Sequence, residues 1–353
     1  MQYRRAIAGL AIALGLVALL IYGVGWAEVV ALLGDASGIY VGAGAISGAL
    51  ILVFRGAVVD TLLHPVPGRA RGVPFGLAFL GGYFARSALP WGRSTGSPIM
   101  AYLLAANGDS AFEDNLAVVA LAELVVFAGS VAVGTLGILA YLATTGDLEA
   151  LSHLLEEAWE TGSVSVVAFV GGAFLTALVL GTVIVYTRRG SAPFLAFGRA
   201  TARWADARLQ SIPRVSSVDP VSSRLEGFVR TLETVSADRR TLWTAIAIAF
   251  ASWLVNVFPL YFALLALGVE GSFALALLCA PLATIGGVIP LPGGTGGIET
   301  ALVVLLVTLG GLNPELATAV TLLYRLSTYW VHLTIGGAGA LVLSARGERT
   351  LSV

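Results

Sequence analysis

Long apolar runs decide what this chain can fold into. Residues 112–144 carry only three charged side chains, Glu113, Asp114 and Glu123. As a helix that run would be about 50 Å long, and about 20 apolar residues already cross the hydrocarbon layer. Further runs fall at 6–26, 39–63, 74–106, 164–187, 241–268, 272–311 and 315–344. A transmembrane β-barrel would show alternating stretches of about ten residues, whereas these runs are unbroken. Charged residues make up 12% of the 353, against roughly a quarter in soluble domains. The sequence therefore predicts an all-α polytopic membrane protein, a single integral membrane domain over residues 1–353.

Composition also excludes several chemistries. The net charge is −1, which offers no basic excess for nucleic acid. The single cysteine, Cys279, and the isolated His64, His153 and His332 supply neither a disulfide nor a metal-ligand cluster. No cofactor or metal is expected.

Arginines near the run ends set an orientation by the positive-inside rule. Arg4 and Arg5 place the N-terminus in the cytoplasm, and Arg346 and Arg349 do the same for the C-terminus. Arg55, near the end of run 39–63, and Arg69 and Arg71 after it return inside. The connector 188–240, with ten Arg against five acids, reads as cytoplasmic too. The acidic stretch Asp147–Glu160 belongs outside, so the localisation is the cytoplasmic membrane. Run 6–26 reads as a first span rather than a signal peptide, since no clear small-residue cleavage site follows it. For the signs to alternate, 74–106 and 272–311 must each enter and leave on one side. The result is about six full spans plus two broken hairpins, either re-entrant or fully crossing.

Each hairpin is broken by Pro and Gly, at Pro90–Pro98 and at Pro290–Gly297. At an offset of 200 residues Pro90 meets Pro290, Thr95 meets Thr295 and Gly96 meets Gly296. Similar runs flank each break, so residues 39–144 and 241–344 read as halves of an inverted-topology repeat. Irregular backbone at membrane depth must be buried in protein or line a wet cavity. The helix that follows each break turns its N–H groups and positive dipole end toward that cavity, which suits an anion. Gly293, Gly294 and Gly296 let backbone approach a ligand closely, and Pro98 suits a first helical turn.

Charges inside spans are costly and usually face the bundle interior. Arg86, Arg93, Glu123, Glu299 and Arg325 stand out. Arg325 brings a planar fork suited to phosphate. Glu299, three residues past Gly296, is placed either to contact a ligand or to cap backbone N–H groups. Ser94, Thr95 and Thr295 face the same choice between a ligand and the broken backbone. Arg86 and Arg93 suit either the bundle or the interface, and His332 reads as a core residue.

Three segments together resemble the flippase-like transmembrane domain of lysylphosphatidylglycerol synthases and its stand-alone relatives: Tyr83–Pro90, Pro290–Glu299 and Leu323–Trp330. The family pattern Pro-Gly-Gly-x-Gly-x-x-Glu is matched by Pro292, Gly293, Gly294, Gly296 and Glu299. Arg325 matches the family's Arg in the last span. Glu123 falls where the family often has Glu-Arg, with Leu124 in place of the Arg. The resemblance implies translocation of an anionic phospholipid or lipid-linked headgroup, polyprenyl-phosphate included, and no enzymatic activity. Membrane lipids are then the partners, with a homo-oligomer or a separate lipid-modifying enzyme as further candidates. The alternative is a non-transporting scaffold for such an enzyme.

Overall fold

The computed structural model describes residues 26–89, 92–145, 221–269, 273–288 and 291–346, and among these every regular element is helical. Runs 6–26 and 164–187 and most of the Arg-rich connector lie outside the described residues. The elements are α1 (Trp26–Gly34), α2 (Gly38–Leu63), α3 (Gly72–Ala88), α4 (Gly92–Ala106), α5 (Phe112–Thr145), α6 (Val221–Ala237) and α7 (Arg239–Ala266). They continue with α8 (Phe273–Ala283), short 3₁₀ turns at Thr284–Val288 and Pro292–Gly294, α9 (Gly297–Gly310), α10 (Pro314–Arg325), a π turn (Leu326–Trp330) and α11 (Val331–Ala345). Five described stretches are long and apolar enough to cross a membrane: Gly38–Leu63, Phe112–Thr145, Arg239–Ala266, Pro292–Gly310 and Pro314–Ala345.

The long helices are apolar on all sides, so no hydrophobic stripe tells core from lipid. Between apolar helices in lipid, association depends on close packing of small residues, and glycines mark the contacts here. A Cβ on Gly137 of α5 would lie 2.6 Å from the Leu277 carbonyl of α8, and one on Gly339 of α11 would lie 2.6 Å from Leu80 Cβ of α3. Gly44 and Gly48 of α2 admit Ser327 of the π turn; a Cβ on Gly48 would sit 1.7 Å from the Ser327 carbonyl oxygen.

The packing is reciprocal. Helix α2 runs against α7, the first arm of one hairpin (α3) packs on α11, and the first arm of the other (α8) packs on α5. The second arms, α4 and α9, pack on α5 and α10.

The two breaks are built differently. The first is shorter than Pro90–Pro98, because α4 already starts at Gly92 and carries Pro98 inside it. The glycines there serve close approach: a Cβ on Gly92 would lie 2.0 Å from the Arg86 carbonyl oxygen, and one on Gly96 would lie 2.6 Å from Arg86 Cβ. The second break is irregular over most of Thr284–Gly296, with positive φ at Gly293 (59°), Gly294 (68°) and Gly296 (88°). This conformation is costly for residues with a Cβ. Outside the spans, α6 packs on the start of α5 through Thr231 to Asp114 and Arg224 to Glu113. Asp238 caps α7, its carboxylate accepting from the Arg240 and Thr241 N–H groups.

Candidate functional site

Two ion pairs join helices of the bundle, one buried and one part-exposed. Arg325, the last residue of α10, donates from Nε to Glu299 Oε1 at 2.7 Å and from Nη2 to the Gly293 carbonyl at 3.0 Å. Glu299 uses its other oxygen, Oε2, to accept from Gly296 N–H at 2.7 Å, the N3 half of a capping box. Both side chains are almost fully buried, 8% and 5% exposed. The anion at the N-terminus of α9 is thus the protein's own carboxylate, and Arg325 satisfies a carbonyl of the irregular loop that has no helical partner. Thr295 likewise donates to the Pro292 carbonyl at 2.6 Å.

The π turn directly after Arg325 sets Tyr329 over its guanidinium, 4.6 Å from ring centroid to Cζ. The Tyr329 ring also covers Gly293, where a Cβ would meet it at 2.1 Å. Its hydroxyl reaches the Ser87 carbonyl of α3 at 3.5 Å. One aromatic therefore joins the second break to the first hairpin, and the turn Pro292–Gly294 packs on both α3 and α4.

The second pair is Arg86 of α3 with Glu123 of α5. Leu124 stands where a neighbouring Arg was expected from the resemblance, and the partner comes instead from the hairpin. Arg86 also lies near the Tyr83 ring, 5.9 Å from its centroid. Beside this pair is a small, partly open recess of about 20 Å³ between α2, α3, α4 and α5, with Arg55, Arg86 and Glu123 in its wall. Arg55 sits within α2, eight residues before the helix ends. Its guanidinium lies over Trp253 of α7, 5.3 Å from the ring centroid, and its Nε is buried without a hydrogen bond.

His332 stands between the clusters. Its Nε2 donates to the Gly48 carbonyl at 2.8 Å, its ring meets Tyr83 edge-on at 5.5 Å, and it is within electrostatic reach of Arg55, Arg86 and Arg325.

Of the sequence candidates, Gly293, Gly294, Thr295, Gly296, Glu299 and Arg325 form one cluster. Glu123 belongs to the other. Thr95 is exposed on α4, away from neither cluster's helices but outside both ion pairs; the side chains of Arg93 and Ser94 lie outside what is described. Sequence reasoning missed Arg55, Tyr329 and Trp253 as members. The available signal for Arg55 was its position as the one charge amid Ile51-Leu-Val-Phe-Arg55-Gly-Ala-Val-Val59.

A family profile, that of the lysylphosphatidylglycerol synthase TM region, matches residues 6–336. The chain belongs to this family. Among curated proteins, glycosyltransferase AglD of Haloferax volcanii is 27% identical over 346 residues, which is 95% of this chain and 54% of AglD. Two UPF0104 membrane proteins of Methanothermobacter thermautotrophicus are 29% identical over 119 residues and 31% over 97. Those matches cover 33% and 27% of this chain, and 35% and 29% of the relatives. The chain thus spans about half the length of AglD and about a third of each UPF0104 protein. No solved structure matches.

Proposed function

We propose that this protein is a non-enzymatic translocase that moves the headgroup of an anionic phospholipid or polyprenyl-phosphate lipid across the cytoplasmic membrane, with both termini in the cytoplasm. The observation that carries this reading is the charge between the helices: Arg55, Arg86 and Arg325 all lie within electrostatic reach of His332, while among the described residues Glu123 and Glu299 pair with two of them. A positive excess among apolar helices is expensive unless an anion visits it, and a headgroup phosphate held there leaves its acyl chains in lipid. Family membership supports the same reading. The reciprocal packing of α2 to α5 with α7 to α11 supports the two halves 39–144 and 241–344 as an inverted repeat, with the headgroup path at their interface.

On this reading the Gly293–Glu299 and Arg325 cluster is the joint that keeps the break in shape. The test is translocation of a fluorescent phosphatidylglycerol in reconstituted vesicles. Arg325→Gln and Glu299→Gln proteins that remain folded should move it at least tenfold more slowly than wild type. Unchanged rates would remove these residues from the mechanism.

A second reading is favoured by one observation, the match of this chain to about half of a protein named a glycosyltransferase. The chain would then be a membrane partner for an enzyme that modifies a lipid. Co-purification of such an enzyme together with vesicles that show no lipid movement would select this reading.

A further inference from the structure

The cleft between α2, α3, α4 and α5 is a separate feature from the Arg325–Glu299 joint, and its charges do not balance. Arg55 and Arg86 face it with Glu123 as the single carboxylate. Arg86 is held by Glu123. Among the described residues Arg55 forms no ion pair, and its buried Nε has no hydrogen bond.

The cleft also lies deep. Arg55 stands eight residues before the end of α2, Arg86 fourteen after the start of α3 and Glu123 eleven after the start of α5. At 1.5 Å per residue these are about 12, 21 and 16 Å of helix. All three helix ends share one face, since the Asp109 N–H donates to the Gly68 carbonyl at 2.7 Å and so ties the 64–71 and 107–111 connections together. A hydrocarbon layer of about 30 Å therefore places the cleft near its middle. A charge without a counter-ion is disfavoured there, and Arg55, part-exposed with its Nε buried, joins no backbone break that would require it. The guanidinium is nevertheless kept in place, stacked on Trp253.

We propose that this cleft is a phosphate site, with Arg55 as the recognising group and Arg86, oriented by Glu123, as the second positive charge. A planar guanidinium offers two parallel donors to two phosphate oxygens. The small, partly open recess is bounded by Val59, Phe79, Met100 and Val126 as well as by the charges. It thus presents a charged end and apolar walls to one ligand. The inference rests on the translocase reading for its biological meaning, though binding can be measured without transport.

The full chain in phosphatidylcholine nanodiscs is titrated with fluorescent phosphatidylglycerol in one arm and with inorganic phosphate as competitor in the other. Wild type should saturate. Arg55→Gln should bind phosphatidylglycerol at least tenfold more weakly, and Arg55→Lys, which keeps the charge and loses the fork, should fall between. Competition by phosphate identifies the oxyanion alone as sufficient; saturation without competition identifies the lipid as the ligand. Both Arg55 variants binding like wild type would overturn the site, and Arg55→Lys keeps the test open if Arg55→Gln does not fold. Normal binding by the Arg55 variants with transport lost in the Arg325 variants overturns this inference alone. Weakened binding by Arg55→Gln in a protein that moves no lipid overturns the translocase reading and upholds the site.

Discussion

Arg325 Nε donates to Glu299 Oε1 at 2.7 Å across 26 residues of chain, and the same two side chains also hold the Gly293 carbonyl and the Gly296 N–H. One ion pair thus holds the last turn of the irregular segment before α9, from Gly293 to Gly296. A loop at this depth has no water to satisfy it, so the pair supplies what a helix would otherwise supply from its own backbone.

Removing one partner should therefore cost far more than a surface pair would. Arg325→Ala leaves Glu299 buried and the Gly293 carbonyl without a donor, a loss of about 3–5 kcal/mol. The double variant Arg325→Ala, Glu299→Gln should lose clearly less than the sum of Arg325→Ala and Glu299→Gln. Thermal unfolding of the four proteins in one detergent gives the cycle, and additive losses would contradict the joint.

The seat of the π turn predicts a sharp contrast between two glycines of one helix. Gly48→Ala drives a Cβ into the backbone oxygen of Ser327, which cannot rotate away, whereas Gly42 has nothing within 4 Å. Overpacking of this kind costs about 1–3 kcal/mol. Gly48→Ala should lower the unfolding temperature and Gly42→Ala should leave it in place. Equal behaviour would contradict the packing of α2 on Ser327.

Much of this was legible in the chain. The runs named the long helices, and Pro292-Gly-Gly-Thr-Gly-Gly-Ile-Glu299 announced both a break and its cap, since positive φ at Gly293, Gly294 and Gly296 requires that residue type. What the sequence hid follows from the solvent. Apolar helices carry no stripe that tells which face meets which neighbour, so the pairing of Arg86 with Glu123, 37 residues away, has no local signature. Arg55 was passed over for a related reason: charge counting uses an arginine near the end of a run only to set orientation, and its place over Trp253 is a tertiary contact. The glycines of Gly92-Arg-Ser-Thr-Gly96 were read as breakers. They serve as seats for Arg86 instead, which moved the start of α4 forward.

The entry into α7 should depend on pH. The Thr241 hydroxyl and N–H groups hold the Asp238 carboxyl below its ordinary range, with a smaller contribution from Arg240. A carboxylate whose folded pKa is depressed stabilises the fold above its unfolded value, and that contribution disappears as pH falls through the folded one. The stability gap between wild type and Asp238→Ala should accordingly be constant near neutral pH and narrow in acid below the usual carboxylate range. A gap that widens in acid would contradict the cap.

On the translocase reading, anionic headgroups pass the cleft of Arg55 and Arg86 while Arg325 and Glu299 hold the break. The most direct measurement is the initial rate at which fluorescent phosphatidylglycerol, a labelled polyprenyl phosphate and labelled phosphatidylcholine change leaflets in vesicles containing the wild-type protein. At least one anionic probe should move at least tenfold faster than in protein-free vesicles while phosphatidylcholine does not. Protein-free rates for both anionic probes, or equal acceleration of all three lipids, would contradict it.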